Sequence, residues 1–362
     1  MTPAKFIFTE HKPTTPKEIK SLLIIGSKTY KQSTINMLIE EGKKKFSSVL
    51  FVQIDKIQII SFDGKTELFY KDKNLLEFDA IYPRLSSRDF LLGEAVLKAI
   101  ENSKAYCPVN LSSYQISNHK FYTSQKLSRE GIPGITSTLF ISPKYADYAV
   151  DETGYPFVMK LISGFAGKGV VLINSKEQME SILEAVHLFE EFISTQKFIK
   201  GKDSDVRCYV IGDYVIAVKR KCKKGDWRAN ISRGGSASLI NPTPEMLQIA
   251  KNSAKKLEMD LCSVDLMEHK KKWVVIEVNF MPGPFKKFLG NMIAQQWIRV
   301  LFEKCSNKQN LLPILIDMTV CKTANRKDKI ILWFKPTDSL KKIFKQNDIN
   351  VEDYLKLPVF NE

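Results

Sequence analysis

A chain of 362 residues, 44% apolar and 26% charged, is long enough for two or three domains, each with its own core. No apolar run approaches the length of a membrane span, and Met1 to Lys20 carries charge and prolines where a signal peptide would be apolar, so a cytoplasmic protein without membrane contact is expected. Six scattered cysteines (Cys107, Cys208, Cys222, Cys262, Cys305, Cys321) with no CxxC pair argue against a disulfide framework or a zinc site. The net charge of +15 leaves three readings open: a surface for nucleic acid or a ribosome, attraction of polyanionic small molecules and acidic peptides, or lysine-rich helices that are simply solvated.

In chain order, residues 1–110 read as a small α/β unit. Leu22 to Gly26 is an apolar run of the kind that forms a buried parallel strand. Lys31 to Glu41 has helical spacing and is expected to stop at Gly42. Val49 to Val52 and Ile57 to Phe62 are strand candidates, Phe78 to Arg84 is a strand presenting Arg84 at its end, and Phe90 to Asn102 is a helix. Residues 111–195 bring a helix from His119 to Gly131, a strand over Ile135 to Ile141, a hairpin-like pair at Phe157–Lys160 and Val170–Ile173, a helix over Glu177 to Val186 and a strand over Leu188 to Ile193. Residues 196–304 hold a hairpin, Val206–Ile211 and Tyr214–Lys219, about a Gly212-Asp213 turn. A helix from Thr243 to Leu257, a second strand pair at Leu261–Met267 and Trp273–Val278, and a helix from Lys286 to Phe302 complete this part. Residues 305–362 form an extension of unknown role, with strand candidates at Leu312–Asp317 and Ile330–Phe334 and a helix at Ser339–Lys345.

Three segments carry chemistry. Between Lys160 and Gly169 lies a turn rich in glycine (Gly164, Gly167, Gly169) with Lys168 beside it. Backbone N–H groups without a Cβ in the way fold closely over phosphate oxygens, and Lys160 at a strand end supplies a point charge. The GxxxxGK[ST] pattern of a P-loop is missing. The second segment gathers Arg207, Arg220, Arg228 and Arg233, whose guanidiniums suit bidentate contact with carboxylate or phosphate if the hairpin folds back, although ordinary surface charge reads the same way. In the third, Glu277 and Asn279 stand two apart on one strand and share a face, with Ile276 and Val278 opposite, while Asp265 lies on the neighbouring strand. Two carboxylates and an amide are an oxygen set suited to Mg²⁺, and burying them without a partner would be costly.

Taken in order, Lys160 and its Gly-rich turn, Glu191-Phe192-Ile193, Asp205-Val206-Arg207, Arg228-Ala229-Asn230, Arg233-Gly234-Gly235, Asp265, and Glu277-Val278-Asn279 followed by Pro282-Gly283 resemble the RimK family of ATP-grasp ligases, over roughly Phe78 to Phe302. The resemblance implies a mixed α/β and α+β architecture: a pre-ATP-grasp domain (1–110), then an N-terminal lobe (111–195) and a C-terminal lobe (196–304) that clamp ATP between them. It implies Lys120 and Lys160 on phosphates, a hinge at Glu190, Glu191, Phe192 and Ile193 reading adenine, and Asp205 near the ribose. Asp265, Glu277 and Asn279 would hold one or two Mg²⁺ (or Mn²⁺) ions. Arg207, Arg228 and Asn230 would line the catalytic phosphate and carboxylate pocket, and Arg84, Arg220 and Arg233 would meet the substrate.

The activity implied is a carboxylate–amine ligation through an acyl phosphate, adding an amino acid, glutamate first among them, to a peptide, a protein tail or a small cofactor, with a homo-oligomer expected. Two alternatives stand beside it: a ligase of another ATP-grasp branch (glutathione-synthetase type or a peptide-modifying maturase), and an inactive basic ATP-binding module docking on RNA or ribosomes. The sequence departs from the family pattern at His119, where Asp is common, in the long basic link Thr195 to Asp203, and at Phe280-Met281, where small residues are frequent.

Overall fold

A computed structural model describes residues 20–28, 31–140, 145–161, 169–187, 193–199, 203–223, 234–284, 289–306, 318–326, 329–336 and 360–361. Its first unit runs β1 (Ser21–Gly26), α1 (Gln32–Lys45), β2 (Ser48–Gln53), a meander β3 (Gln58–Phe62), β4 (Lys65–Tyr70) and β5 (Lys73–Asn74), then β6 (Ala80–Arg84) and α2 (Phe90–Glu101). The parallel sheet β2-β1-β6 explains the apolar run of β1: Leu22 to Ile25 is covered on both faces and has no exposed surface. Gly42 does not end α1. A Cβ there would stand 3.2 Å from both Leu22 and Val49, so this glycine permits close packing of the helix on the sheet, and α1 continues to Lys45.

The second unit contains α3 (Leu111–Asn118), α4 (Lys120–Arg129), β7 (Ser137–Phe140), α5 (Ala146–Thr153), β8 (Phe157–Leu161), β9 (Val170–Ile173), α6 (Lys176–His187) and β10 (Ile193–Lys197). Its antiparallel sheet has the order β7-β10-β8-β9. The strand expected at Leu188–Ile193 begins at Ile193 and crosses the 195/196 division drawn from the sequence; residues 188–192 lie outside the described ones. Helix α3 was not expected: its Ser- and Asn-rich sequence has little apolar periodicity, and it is set by Asn110, whose side chain accepts from Ser113 N at 2.8 Å.

The third unit is β11 (Ser204–Ile211), β12 (Tyr214–Lys221), β13 (Ser236–Ile240), α7 (Pro244–Lys256), β14 (Leu261–His269), β15 (Lys272–Asn279) and α8 (Met292–Cys305). The strands form an antiparallel sheet of order β13-β12-β11-β14-β15. The helix expected from Lys286 is interrupted at Gly290, whose φ of +54° is left-handed, and α8 starts after it; residues 285–288 lie outside the described ones. The tail contributes an antiparallel set, β16 (Met318–Arg326), β17 (Lys329–Pro336) and β18 (Phe360–Asn361); the strand expected at Leu312–Asp317 and the helix at Ser339–Lys345 fall outside the described residues.

One apolar core joins the first and third units. Leu22, Ile24 and Tyr82 pack with Tyr209, Val218 and Leu261 around Ile293, Trp297 and Leu301 of α8. The four-stranded sheet keeps a small core of its own, including Phe157, Met159, Ile173, Met179 and Ile193. Among the described residues no helix is long and apolar enough to cross a membrane.

Candidate active site

A cleft of about 500 Å³ opens between the four-stranded sheet, α4 and β15. Lys120 and Ser124 reach it from α4, Lys160 from β8, Ser194 and Gln196 from β10, and Ile276 and Glu277 from β15. Lys120 is held there by the start of α4. His119 is the N-cap, its Nδ1 accepting from Tyr122 N at 3.2 Å and its ring stacked on Tyr122, so the imidazole supplies the capping acceptor. Burial lowers the His119 pKa, which favours the neutral ring that this acceptor role needs.

Gln196 ties the two sheets together. Its Oε1 accepts from Lys160 Nζ at 2.6 Å, and its Nε2 donates to the Ile276 carbonyl at 3.3 Å. Burial, reinforced by repulsion from Lys120, pushes the Lys160 ammonium down to about 8 against the pull of Glu277 and Asp265. Neither Gln196 nor Ser194 was singled out in the sequence. The signal available was alternation, which puts residues 194 and 196 on one face.

Asp265 stands directly across β14/β15 from Glu277, and Ser263 across from Asn279. The register then slips, with Leu266 opposite Val275, so Ile276 is the extra residue of a β-bulge. This corrects the expectation that Ile276 faces away from Glu277: the bulge breaks the alternation, and Ile276 lines the cleft beside it.

Next to this pair lies a four-charge cluster. Arg207 Nε and Nη2 donate to the two oxygens of Asp265 at 2.7 Å each. Arg220 Nε and Nη2 grip Asp205 at 2.6 and 2.5 Å, and Nη2 also reaches Asp265 Oδ2 at 2.8 Å. Two guanidiniums and two carboxylates cancel formally. Burial opposes charge on Asp265, but Arg207 and Arg220 hold its carboxyl below the ordinary value. At Asp205 burial outweighs Arg220 and the pKa rises. Burial would also weaken the Arg207 cation, yet Asp265 raises its pKa further.

The other expected site residues divide clearly. Asp205 and Arg220 come together with Arg207 and Asp265 as ion-pair partners, and neither these four nor Asn279 is among the residues lining the cleft. Arg84, expected to meet substrate, has no exposed surface; Nη2 donates to the Pro282 carbonyl at 2.9 Å and Nη1 to Tyr82 Oη at 3.1 Å. Ile193 is buried in the small core of its sheet, and Gly169, with φ +70°, precedes β9. Gly164, Gly167, Lys168, Glu190, Glu191, Phe192, Arg228, Asn230 and Arg233 lie outside the described residues.

The oxygen set fits a hard divalent cation. Glu277 offers a carboxylate on the cleft wall, Asp265 pairs with it across the ladder and Asn279 lies two residues on, donor types that a hard divalent cation takes, while both Asp265 oxygens are held by Arg207 and Arg220.

The chain is similar to proteins of known kind. The RimK pre-ATP-grasp domain model matches residues 22–113, and the RimK-like ATP-grasp domain model matches residues 117–301. A probable alpha-L-glutamate ligase of Vibrio parahaemolyticus is 37% identical over 218 residues, 59% of this chain and 72% of the relative. The ribosomal protein bS6–L-glutamate ligase of Escherichia coli is 34% identical over 240 residues, 65% of this chain and 80% of the relative. The solved structure of the ATP-grasp ligase PsnB with a phosphomimetic variant of its minimal precursor, Mg and ADP superposes with a TM-score of 0.61 at 16% identity, covering 79% of this chain and 99% of that one. Two sheets facing one another across a lysine-lined cleft, behind a parallel three-stranded unit, thus define an ATP-grasp enzyme, an ATP-dependent ligase that forms a carbon–nitrogen bond between a carboxylate and an amine. The chain belongs to the RimK-like ATP-grasp family.

Proposed function

We propose that the chain adds glutamate to the carboxylate of a peptide or protein tail through an acyl phosphate. The observation that carries this reading is the bridge Lys160–Gln196–Ile276, which sets a phosphate-directed ammonium against the Glu277 carboxylate across one cleft. The names of the relatives support glutamate as the amino acid.

On this reading Lys160 and Lys120 bind the phosphates of ATP, with Gln196 orienting Lys160. The turn carrying Gly164, Gly167, Lys168 and Gly169 covers them, and Glu190 to Ile193 takes the adenine. Glu277, Asn279 and Asp265 hold Mg²⁺, which when bound neutralises phosphate charge as a Lewis acid. Arg207 is the more exposed of the two clustered arginines, 13% against 6% for Arg220, and exchanges its Asp265 contact for a phosphate oxygen. The acceptor carboxylate attacks the γ-phosphorus and ADP leaves. The glutamate amine then attacks the acyl carbon, the bond to phosphate breaks, and the amine gives up a proton. The chain contributes no nucleophile; position, charge and exclusion of water do the work. Arg228 and Asn230 line the pocket for the acyl phosphate, and Arg233 meets the acceptor.

The test is ADP release and product mass with ATP, Mg²⁺, glutamate and peptides ending in acidic residues. Wild type should release ADP only with both glutamate and acceptor and should lengthen the peptide by glutamyl units. Glu277→Gln should lower turnover by at least about a hundredfold, the scale of losing one preorganised charge contact. Near wild-type turnover in that variant removes the metal assignment.

A further inference from the structure

Resting on that assignment of Asp265, Glu277 and Asn279 to the metal, we propose that Arg84 is a positioning residue for the metal strand: it fixes the backbone just beyond Asn279 from the N-terminal unit. Arg84 ends β6, and its own backbone carbonyl is held by Ser27 N at 3.1 Å. Its guanidinium is fully buried beside two aromatic rings, 5.1 Å from that of Trp297 and 5.5 Å from that of Tyr82. From there Nη2 donates to Pro282 O at 2.9 Å, while Nη1 lies 3.8 Å from Met281 Sδ. The next carbonyl, that of Gly283, accepts from Tyr209 Oη at 2.5 Å. Two consecutive carbonyls are therefore clasped, one from β6 and one from β11, three and four residues after Asn279.

The chemistry of the clasp explains why an arginine is used there. A chain leaving a strand has backbone carbonyls that no ladder partner satisfies, and a buried carbonyl needs a donor. A guanidinium is planar, always charged and forked, so it packs against rings while presenting several donors in fixed directions. A hydrogen bond with a charged donor is stronger than a neutral one. Pinning Pro282 and Gly283 limits how far Asn279 moves, and a metal site demands that its ligands be held to a fraction of an ångström. The N-terminal unit thereby acts on the ligand geometry of a cleft that its own side chains do not line.

The experiment measures Mn²⁺ binding by the electron paramagnetic resonance of free Mn²⁺ with ADP present, together with metal-free ADP affinity in EDTA, for Arg84→Met, Arg84→Lys, Tyr209→Phe and Glu277→Gln in the full chain. Arg84→Met should weaken Mn²⁺ binding by about tenfold, the lower end of the loss that follows removal of support behind a metal ligand, while metal-free ADP affinity stays within about twofold. Arg84→Lys, still able to donate to Pro282 O, should recover part of the loss. If Arg84→Met does not fold, Tyr209→Phe decides, with an expected weakening of about threefold from the neighbouring carbonyl. Unchanged Mn²⁺ binding in these variants, or a raised KM for the acceptor without a metal effect, overturns the proposal. Glu277→Gln separates the two readings: if it too leaves Mn²⁺ binding intact, the metal site itself is wrongly placed.

Discussion

At the scale of single residues, the site is a set of charges that answer one another before any ligand arrives. Both oxygens of Asp265 are already taken by Arg207, and one is shared with Arg220. Breaking such a buried pair by deleting one partner costs about 3–5 kcal/mol, whereas exchanging a guanidinium for another cation on the same carboxylate leaves no charge bare. Lys160 shows the same economy in its titration. Its pKa is pushed from 10.5 to about 8 by burial, with Lys120 adding to the push. Below pH 8 the ammonium is present and attracts phosphate; above it the free protein loses that charge. Metal-free ADP affinity should therefore fall as pH rises from 8 to 10, by up to about tenfold per unit, since binding must then recruit the proton. The sign for stability is opposite. A lysine whose folded pKa is depressed destabilises the fold wherever the unfolded chain binds the extra proton, so the contribution of Lys160 to ligand-free stability recovers as pH rises between 8 and 10.5. Fluorescence titration of ADP at several pH values, with Lys160→Arg as the control that should flatten the curve, checks the first trend. A flat wild-type curve would mean that Lys160 is not a phosphate contact.

Among elements, the decisive pieces are strand β10, of which Ile193 was expected as strand but Thr195 to Lys197 as a link, and the bulge in β15, which was not expected. The apolar runs Leu22–Ile25, Val206–Ile211 and Leu261–Leu266 announced their strands because each is buried, and the Gly212-Asp213 turn announced its hairpin. The ends of β10 were not legible, since Ser194, Thr195 and Gln196 are polar although each is at most 5% exposed. Their burial is tolerated because each has a partner or faces the cleft: Thr195 shares a hydrogen bond with Thr138 at 2.6 Å, and Gln196 holds Lys160. The Arg207–Asp265 pair was equally invisible, since its partners are 58 residues apart and meet only through the β11/β14 register. The order of Lys160, Asp265, Glu277 and Asn279 was legible because strand ends and a two-residue spacing are local properties. Gln196→Leu tests the strap that β10 provides. It removes the acceptor from a half-buried ammonium, and a hydrogen bond to a charged group contributes roughly 1.5–3 kcal/mol. The urea midpoint should drop accordingly, and an unshifted midpoint would show that Lys160 finds its support elsewhere.

For the molecule as a whole, the distribution of apolar contacts predicts how it comes apart. The parallel sheet of the N-terminal unit and the five-stranded sheet share α8 as a common wall, and Trp297, with no exposed surface, stands 6.2 Å from the Tyr82 ring and 6.4 Å from the Tyr209 ring. The four-stranded sheet has a smaller core and meets β15 through the Gln196 contact and the cleft. Cooperative units follow buried apolar contact, so the first and third units should unfold together and the four-stranded sheet should open at lower free energy. Trp297→Ala leaves a large void where both units meet, and truncations of this kind cost about 3–5 kcal/mol. Amide hydrogen exchange should show β1, β6, β11 and β14 losing protection together in that variant by a comparable amount, while β8 and β9, expected to exchange faster in wild type, change little. Adding ADP with Mg²⁺ should act the other way, raising protection in β8, β9 and β10 most, because a ligand seated between two sheets stabilises the weaker one by tying it to the stronger. Exchange in which β1 and β11 respond separately to Trp297→Ala would mean that α8 packs on the two units without coupling them.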